Sequence, residues 1–136
     1  MAKLGSRTEY ALLAAMDLAV NYDPNRPLKT EDVARRTGAP AKYLGQILLR
    51  MKARALVRST QGPTGGYRLM RRPELISVAE VMDALASGGD GRRRRAAPDS
   101  PYGKALDWLA GEMDDARRRL LSRVTLADFA RRGSSA

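Results

Sequence analysis

Residues 28–72 leave little choice of fold. A helix pattern from Thr30 to Thr37 stops at Gly38-Ala39-Pro40, and a second runs from about Ala41 to Arg54. Two β-prone runs, Val57 to Thr60 and Gly66 to Met70, then flank Gln61-Gly62-Pro63-Thr64-Gly65. Two helices joined steeply through a short glycine-containing turn make the helix-turn-helix framework of DNA readers, and a hairpin behind them makes a wing. This stretch holds eleven basic residues against Glu31 and Asp32, or +9 of the chain's total of +10. A polyanionic partner suits that balance.

The 136 residues supply one modest core. Aromatics are only 5% of the chain, so Leu, Val, Ala and Met must do most of the packing, and an oligomer is expected to bury what a small monomer cannot. The chain has no cysteine and no histidine. Thiolate-bound iron–sulphur clusters, Cys/His zinc sites, disulfides and catalysis through either residue are excluded by composition, so no cofactor or metal is expected. No apolar run approaches a membrane span and residues 1–5 lack a signal-peptide core, which points to the cytoplasm.

Helix 1 is expected from about Arg7, with Ser6-Arg7-Thr8-Glu9 at capping-box spacing. Its run to Val20 is apolar almost all round, as in a helix buried on several sides. Thr30 is the expected N-cap of helix 2, with Glu31 and Asp32 in the first turn and Gly38 just beyond the end. In helix 3, Tyr43, Leu44, Ile47, Leu48 and Met51 form an apolar stripe toward the core, while Lys42, Gly45, Gln46, Arg50 and Ala53 fall on the opposite side. At 1.5 Å per residue this rod of about 21 Å fits a major groove. The wing loop is not followed by Lys-Ser or Lys-Thr opening a helix, so a nucleotide-binding P-loop is not expected.

Ser77-Val78-Ala79-Glu80 caps a short helix to Ala86, and residues 87–100 read as a flexible basic linker containing Arg92 to Arg95. From Tyr102 to Val124 comes the longest helix pattern. Tyr102, Leu106, Leu109, Met113, Ala116 and Leu120 recur four and three apart, a coiled-coil seam that a second copy of the chain would cover. Thr125 to Asp128 caps a last helix to about Arg131, and 132–136 read as a disordered tail.

With these elements in hand, the chain resembles the Rrf-type winged-helix regulators. The resemblance rests on Glu9 to Ala19, Tyr43-Leu44-Gly45-Gln46-Ile47-Leu48, Leu56-Val57, Gly62 to Leu69, and Val78 to Met82. It covers residues 4–86 well and the long helix in outline, ending in Val124 to Asp128. It implies a bacterial transcription factor, usually a repressor, that binds a near-palindromic operator as a homodimer. By position, Pro40, Lys42, Gly45 and Gln46 stand where members contact bases or phosphates, and Gln61 stands at the wing-tip arginine. Many members carry three cysteines before the dimer helix; this chain carries none there, so an inducing partner protein or small metabolite takes the cluster's place.

The expected fold is mainly α with a small β-hairpin. A winged helix-turn-helix domain spans 1–86, and the dimerisation helix with the short C-terminal helix spans 101–131. The candidate DNA-contacting set is Thr30, Pro40, Lys42, Tyr43, Gly45, Gln46, Arg50, Arg58, Gln61, Gly62, Gly65 and Arg68, with Arg71 and Arg72 as further phosphate contacts. Trp108 and Tyr102 are expected as interface or core aromatics, with the lining of an effector pocket between the dimer helix and the winged helix as the alternative. The alternatives are a non-specific or architectural nucleic-acid binder and a module for an acidic protein. An enzyme is not expected, because no paired-carboxylate or metal-ligand constellation stands out.

Overall fold

The computed structural model describes residues 5–86 and 100–134. In chain order these are α1 (Ser6–Val20), α2 (Thr30–Thr37), α3 (Ala41–Ala53), β1 (Val57–Thr60), β2 (Gly66–Leu69), a 3-10 turn (Pro73–Leu75), α4 (Val78–Ala86), α5 (Pro101–Ser122) and α6 (Leu126–Ser134). The fold is a winged helix-turn-helix followed by a long helix. The expected linker, Arg92 to Arg95 included, lies outside the described residues apart from Ser100.

The central helix is α1. Ala11, Leu12, Ala14, Ala15 and Leu18 are buried, and α2, α3, α4, α6 and β2 all pack on it. Its alanines let those neighbours approach closely. Leu44, Leu48 and Met51 of α3, Leu56, Leu69, Ile76 and Val81 complete one continuous core, and Leu126 of α6 belongs to it. The last helix is therefore docked rather than frayed. Arg132 and Gly133 are helical, and a Cβ on Gly133 would lie 2.9 Å from Met16 Sδ. The Ile76 carbonyl accepts from Leu126 N–H at 2.8 Å, and the Val124 carbonyl accepts from Val78 N–H at 2.8 Å. These bonds tie the start of α6 to the start of α4, so α6 joins the first domain instead of extending α5.

Two of the expected caps form. Ser77 Oγ accepts from Glu80 N–H at 3.2 Å while Glu80 Oε2 accepts from Ser77 N–H at 3.0 Å. Thr125 and Asp128 repeat the pattern at 3.0 and 3.2 Å. The N–H of Thr125 holds the Asp128 carboxyl below its usual range. At α1 and α2 the caps differ from expectation. Helix α1 starts at Ser6 itself, and Glu9 N–H donates to Gly5 O at 2.9 Å, leaving Ser6 without a capping bond. Helix α2 is capped by extended Lys29, because Leu28 is held in a β-bridge to Tyr67. Thr30 thus becomes the first helical residue.

An ion pair fixes α2 against α1. Arg36 Nε and Nη2 donate to the two Asp17 oxygens at 2.9 Å, and the hydrogen bond to Asp17 raises the Arg36 pKa. The Asp17 side chain is only 9% exposed. Asp17→Asn is expected to cost about 1 kcal/mol, read as a lower denaturation midpoint at unchanged slope. An unchanged midpoint would show that the pair is dispensable.

Candidate nucleic-acid interface

The turn between α2 and α3 is built by Gly38 at φ 81°, in the left-handed region, with its N–H on the Ala34 carbonyl at 2.8 Å. Thr37 Oγ1 donates to Val33 O at 2.7 Å and accepts from Ala39 N–H at 3.2 Å, which locks the turn. Pro40, exposed and extended, caps α3. From there α3 buries Leu44, Ile47, Leu48 and Met51 and leaves Lys42, Gln46 and Leu49 in solvent. Gly45 lies on the outward side with open space where a Cβ would stand. A helix-interior glycine costs about 1 kcal/mol relative to alanine. No neighbour among the described residues requires it.

Tyr43 departs from its expected place in the core stripe. It is 53% exposed and stacks on Tyr10 of α1, ring centroids 6.1 Å apart. The polar hydroxyl makes this partly wet position acceptable. Arg50 also departs. Its Nη1 donates to the Leu85 carbonyl at 2.9 Å, so it holds the end of α4 instead of facing outward with Lys42 and Gln46.

In the wing, β1 and β2 pair antiparallel with Arg58 directly opposite Arg68. Like charges so placed repel. Among the described residues neither has an acidic partner to relieve this. Gln61 and Gly62 form the exposed tip, with Gly62 at φ 101°. Gly65 is buried, and a Cβ there would lie 2.1 Å from the Thr60 carbonyl oxygen, so its role is steric.

Charge counting overstated the free cations. Arg71 donates to the Leu75 carbonyl and to Glu80 Oε1, both at 2.7 Å, and Arg72 pairs with Glu74 at 3.5 Å. Partial burial pushes the Glu80 pKa up, but its bonds from Arg71 and Ser77 outweigh this and bring it below the usual range. No sequence signal marked these partners, nor Tyr10 as a neighbour of the reading helix.

On α5, Tyr102, Leu106, Leu109, Met113, Ala116 and Leu120 are all exposed along one stripe. Trp108 is 66% exposed. Trp108 and Tyr102 line neither of the two cavities beside α1. One, of about 520 Å³, lies between α4 and α5 and includes Met82, Asp83, Asp114 and Arg118. The other, of about 400 Å³, lies between α1 and α3.

A helix-turn-helix with an exposed second-helix face and a basic wing defines a DNA-binding regulator. The chain belongs to the Rrf2 family, described as "Iron-dependent Transcriptional regulator", whose profile matches residues 4–132. It is 35% identical over 129 residues to the HTH-type transcriptional regulator IscR of Escherichia coli, covering 93% of this chain and 79% of that one. Its fold is similar to that of IscR from T. potens, at TM-score 0.75 and 24% identity over 97% of this chain and 88% of that one. CymR, the global cysteine regulator of B. subtilis, matches at TM-score 0.73 and 25% identity over 96% and 97% of the two chains. These relatives are transcription regulators, not enzymes.

The iron dependence in the family description does not carry over to the residues present. The chain lacks cysteine and histidine altogether, and no group of three acidic side chains able to hold a metal occurs among the described residues. Among the described residues no helix is long and apolar enough to cross a membrane.

Proposed function

We propose that the protein is a homodimeric, sequence-specific repressor that binds a near-palindromic operator in the cytoplasm without an iron–sulphur cluster. The observation that carries this reading is the pairing of two solvent-facing features in one chain. One is the Lys42–Gln46 face of α3 beside the unpaired Arg58–Arg68 wing; the other is the uncovered apolar stripe of α5. In this reading α3 enters the major groove. Lys42 and Gln46 meet base edges there, and the open space at Gly45 admits the DNA. In this reading Pro40 and Tyr43 border the groove, and Thr30 at the start of α2 meets the DNA backbone. The wing tip at Gln61 and Gly62 approaches the minor groove, with Arg58 and Arg68 on phosphates. Arg50, Arg71 and Arg72 are left to their structural partners.

If a dimer neutralises about eight phosphates, the slope of log K against log salt is about −7. Genomic footprinting supplies the operator, and salt titration on that fragment measures the slope. A slope shallower than about −2 would remove the reading. Lys42→Ala combined with Gln46→Ala is expected to lower the operator's preference over random DNA by about tenfold or more, whereas Arg68→Ala weakens all DNAs alike. Equal binding to every sequence by the unaltered protein would instead indicate an architectural DNA binder.

A further inference from the structure

The cavity of about 400 Å³ between α1 and α3 sets aromatic rings beside basic side chains. One side is apolar, made by the stacked rings of Tyr10 and Tyr43 together with Ile47. The other is formed by Ser6, Arg7, Gln46 and Arg50, and among the described residues no carboxylate lines it. The Leu85 carbonyl fixes the Arg50 guanidinium in place, while Arg7 is exposed at the first turn of α1. The larger cavity at α4 and α5 lacks this asymmetry, since Asp83 and Arg118 bridge it at 3.4 Å and Asp114 adds a second acid. A pocket of a few hundred cubic ångströms with an apolar wall and a few convergent polar groups is typical of small-molecule sites.

We propose that the α1–α3 cavity binds a small organic anion with a flat aromatic body, and that this anion and the operator exclude one another. The aromatic body would lie against Tyr10 and Tyr43, with its carboxylate on Arg7, where a charged hydrogen bond is strongest. Tyr43 and Gln46 line the cavity and also stand on the proposed reading face, so an occupant competes for the same side chains. Linkage then requires that DNA weaken the anion by the same factor as the anion weakens DNA. This inference rests on the regulator reading above and supplies its missing signal.

The test titrates the full chain with 2-naphthoate, its uncharged amide and four smaller aromatic carboxylates by calorimetry, then repeats operator binding with naphthoate present. One saturable naphthoate site per chain is expected, with the amide about tenfold weaker or worse. Arg7→Gln and Ser6→Trp should each weaken naphthoate by about tenfold at unchanged melting temperature. Naphthoate should weaken operator binding by the unaltered chain, and Arg7→Gln should keep its operator affinity but lose that response. The proposal is overturned if none of the carboxylates binds saturably, if the amide binds equally well, or if bound naphthoate leaves operator affinity unchanged. It is also overturned if Arg7→Gln alone weakens DNA tenfold, since the cavity would then hold a DNA phosphate. Failure of the regulator reading shows separately, as absence of operator preference before any anion is added.

Discussion

Replacing Leu109 and Met113 by glutamate should turn the protein into a monomer and weaken operator binding by about 100-fold or more. Both residues lie in the middle of the α5 stripe, 47% and 64% exposed among the described residues. Glutamate is a good helix former, so α5 should persist in the isolated chain, as far-UV dichroism can check. Two carboxylates on a self-complementary interface meet their own copies, and burying them without partners is costly. Once the copies part, each reading head binds its half-site alone and loses the effective concentration its twin supplied, a factor of about 10² to 10⁴. Sedimentation measures the mass and operator titration the affinity. A variant that stayed dimeric would move the interface away from this stripe. A monomer that bound the operator as tightly as the parent would remove the two-headed mechanism itself.

A large loss of stability from a single methyl group is expected at Gly66→Ala. Gly66 sits at φ 150°, and a Cβ there would lie 2.3 Å from the Leu28 carbonyl oxygen and 2.5 Å from its carbon. Backbone atoms cannot yield as a side chain can. The same carbonyl accepts from Tyr67 N–H at 2.8 Å, and Leu28 N–H donates back to Tyr67 O at 2.8 Å. The new methyl must therefore separate this bridge. We expect a cost of about 3 kcal/mol, or roughly 10 °C in melting temperature, from two hydrogen bonds and backbone strain together. Operator binding should fall as well, because the bridge sets the wing against the start of α2. A melting temperature within about 2 °C of the parent would show that the hairpin relaxes freely at this point. Gly45→Ala is the internal comparison, since a Cβ there meets open space.

Three glycines show what could be read from residue order. Gly38 and Gly62 carry their meaning locally, because positive φ is needed within a turn and glycine supplies it. Gly66 also sits at positive φ, but the atom it must avoid belongs to Leu28, far away in the chain. Capping divides in the same way. Ser77 with Glu80 and Thr125 with Asp128 formed as their spacing implied. Thr30 gave up its capping place because the Leu28 bridge holds the preceding backbone extended. Ala55 at φ 59° had no turn signal at all; it adopts the left-handed conformation so that Leu56 N–H can reach the Met51 carbonyl at 2.9 Å and close α3.

By itself the sequence determined the helices, the steep turn, the hairpin, the apolar faces of α3 and α5, and the absence of thiolate and imidazole chemistry. Those follow from periodicity, backbone preference and composition, which act over a few residues or over the whole chain at once. Tertiary structure alone decided which arginines remain available, that Tyr43 leaves the core for Tyr10, that α6 folds back onto α1, and that a cavity opens beside the reading face. Most of these depend on a partner distant in sequence, as Arg36 does on Asp17 and Arg50 on Leu85, whereas Arg71 and Arg72 find theirs nearby in the turn leading into α4, where no periodic pattern marks them.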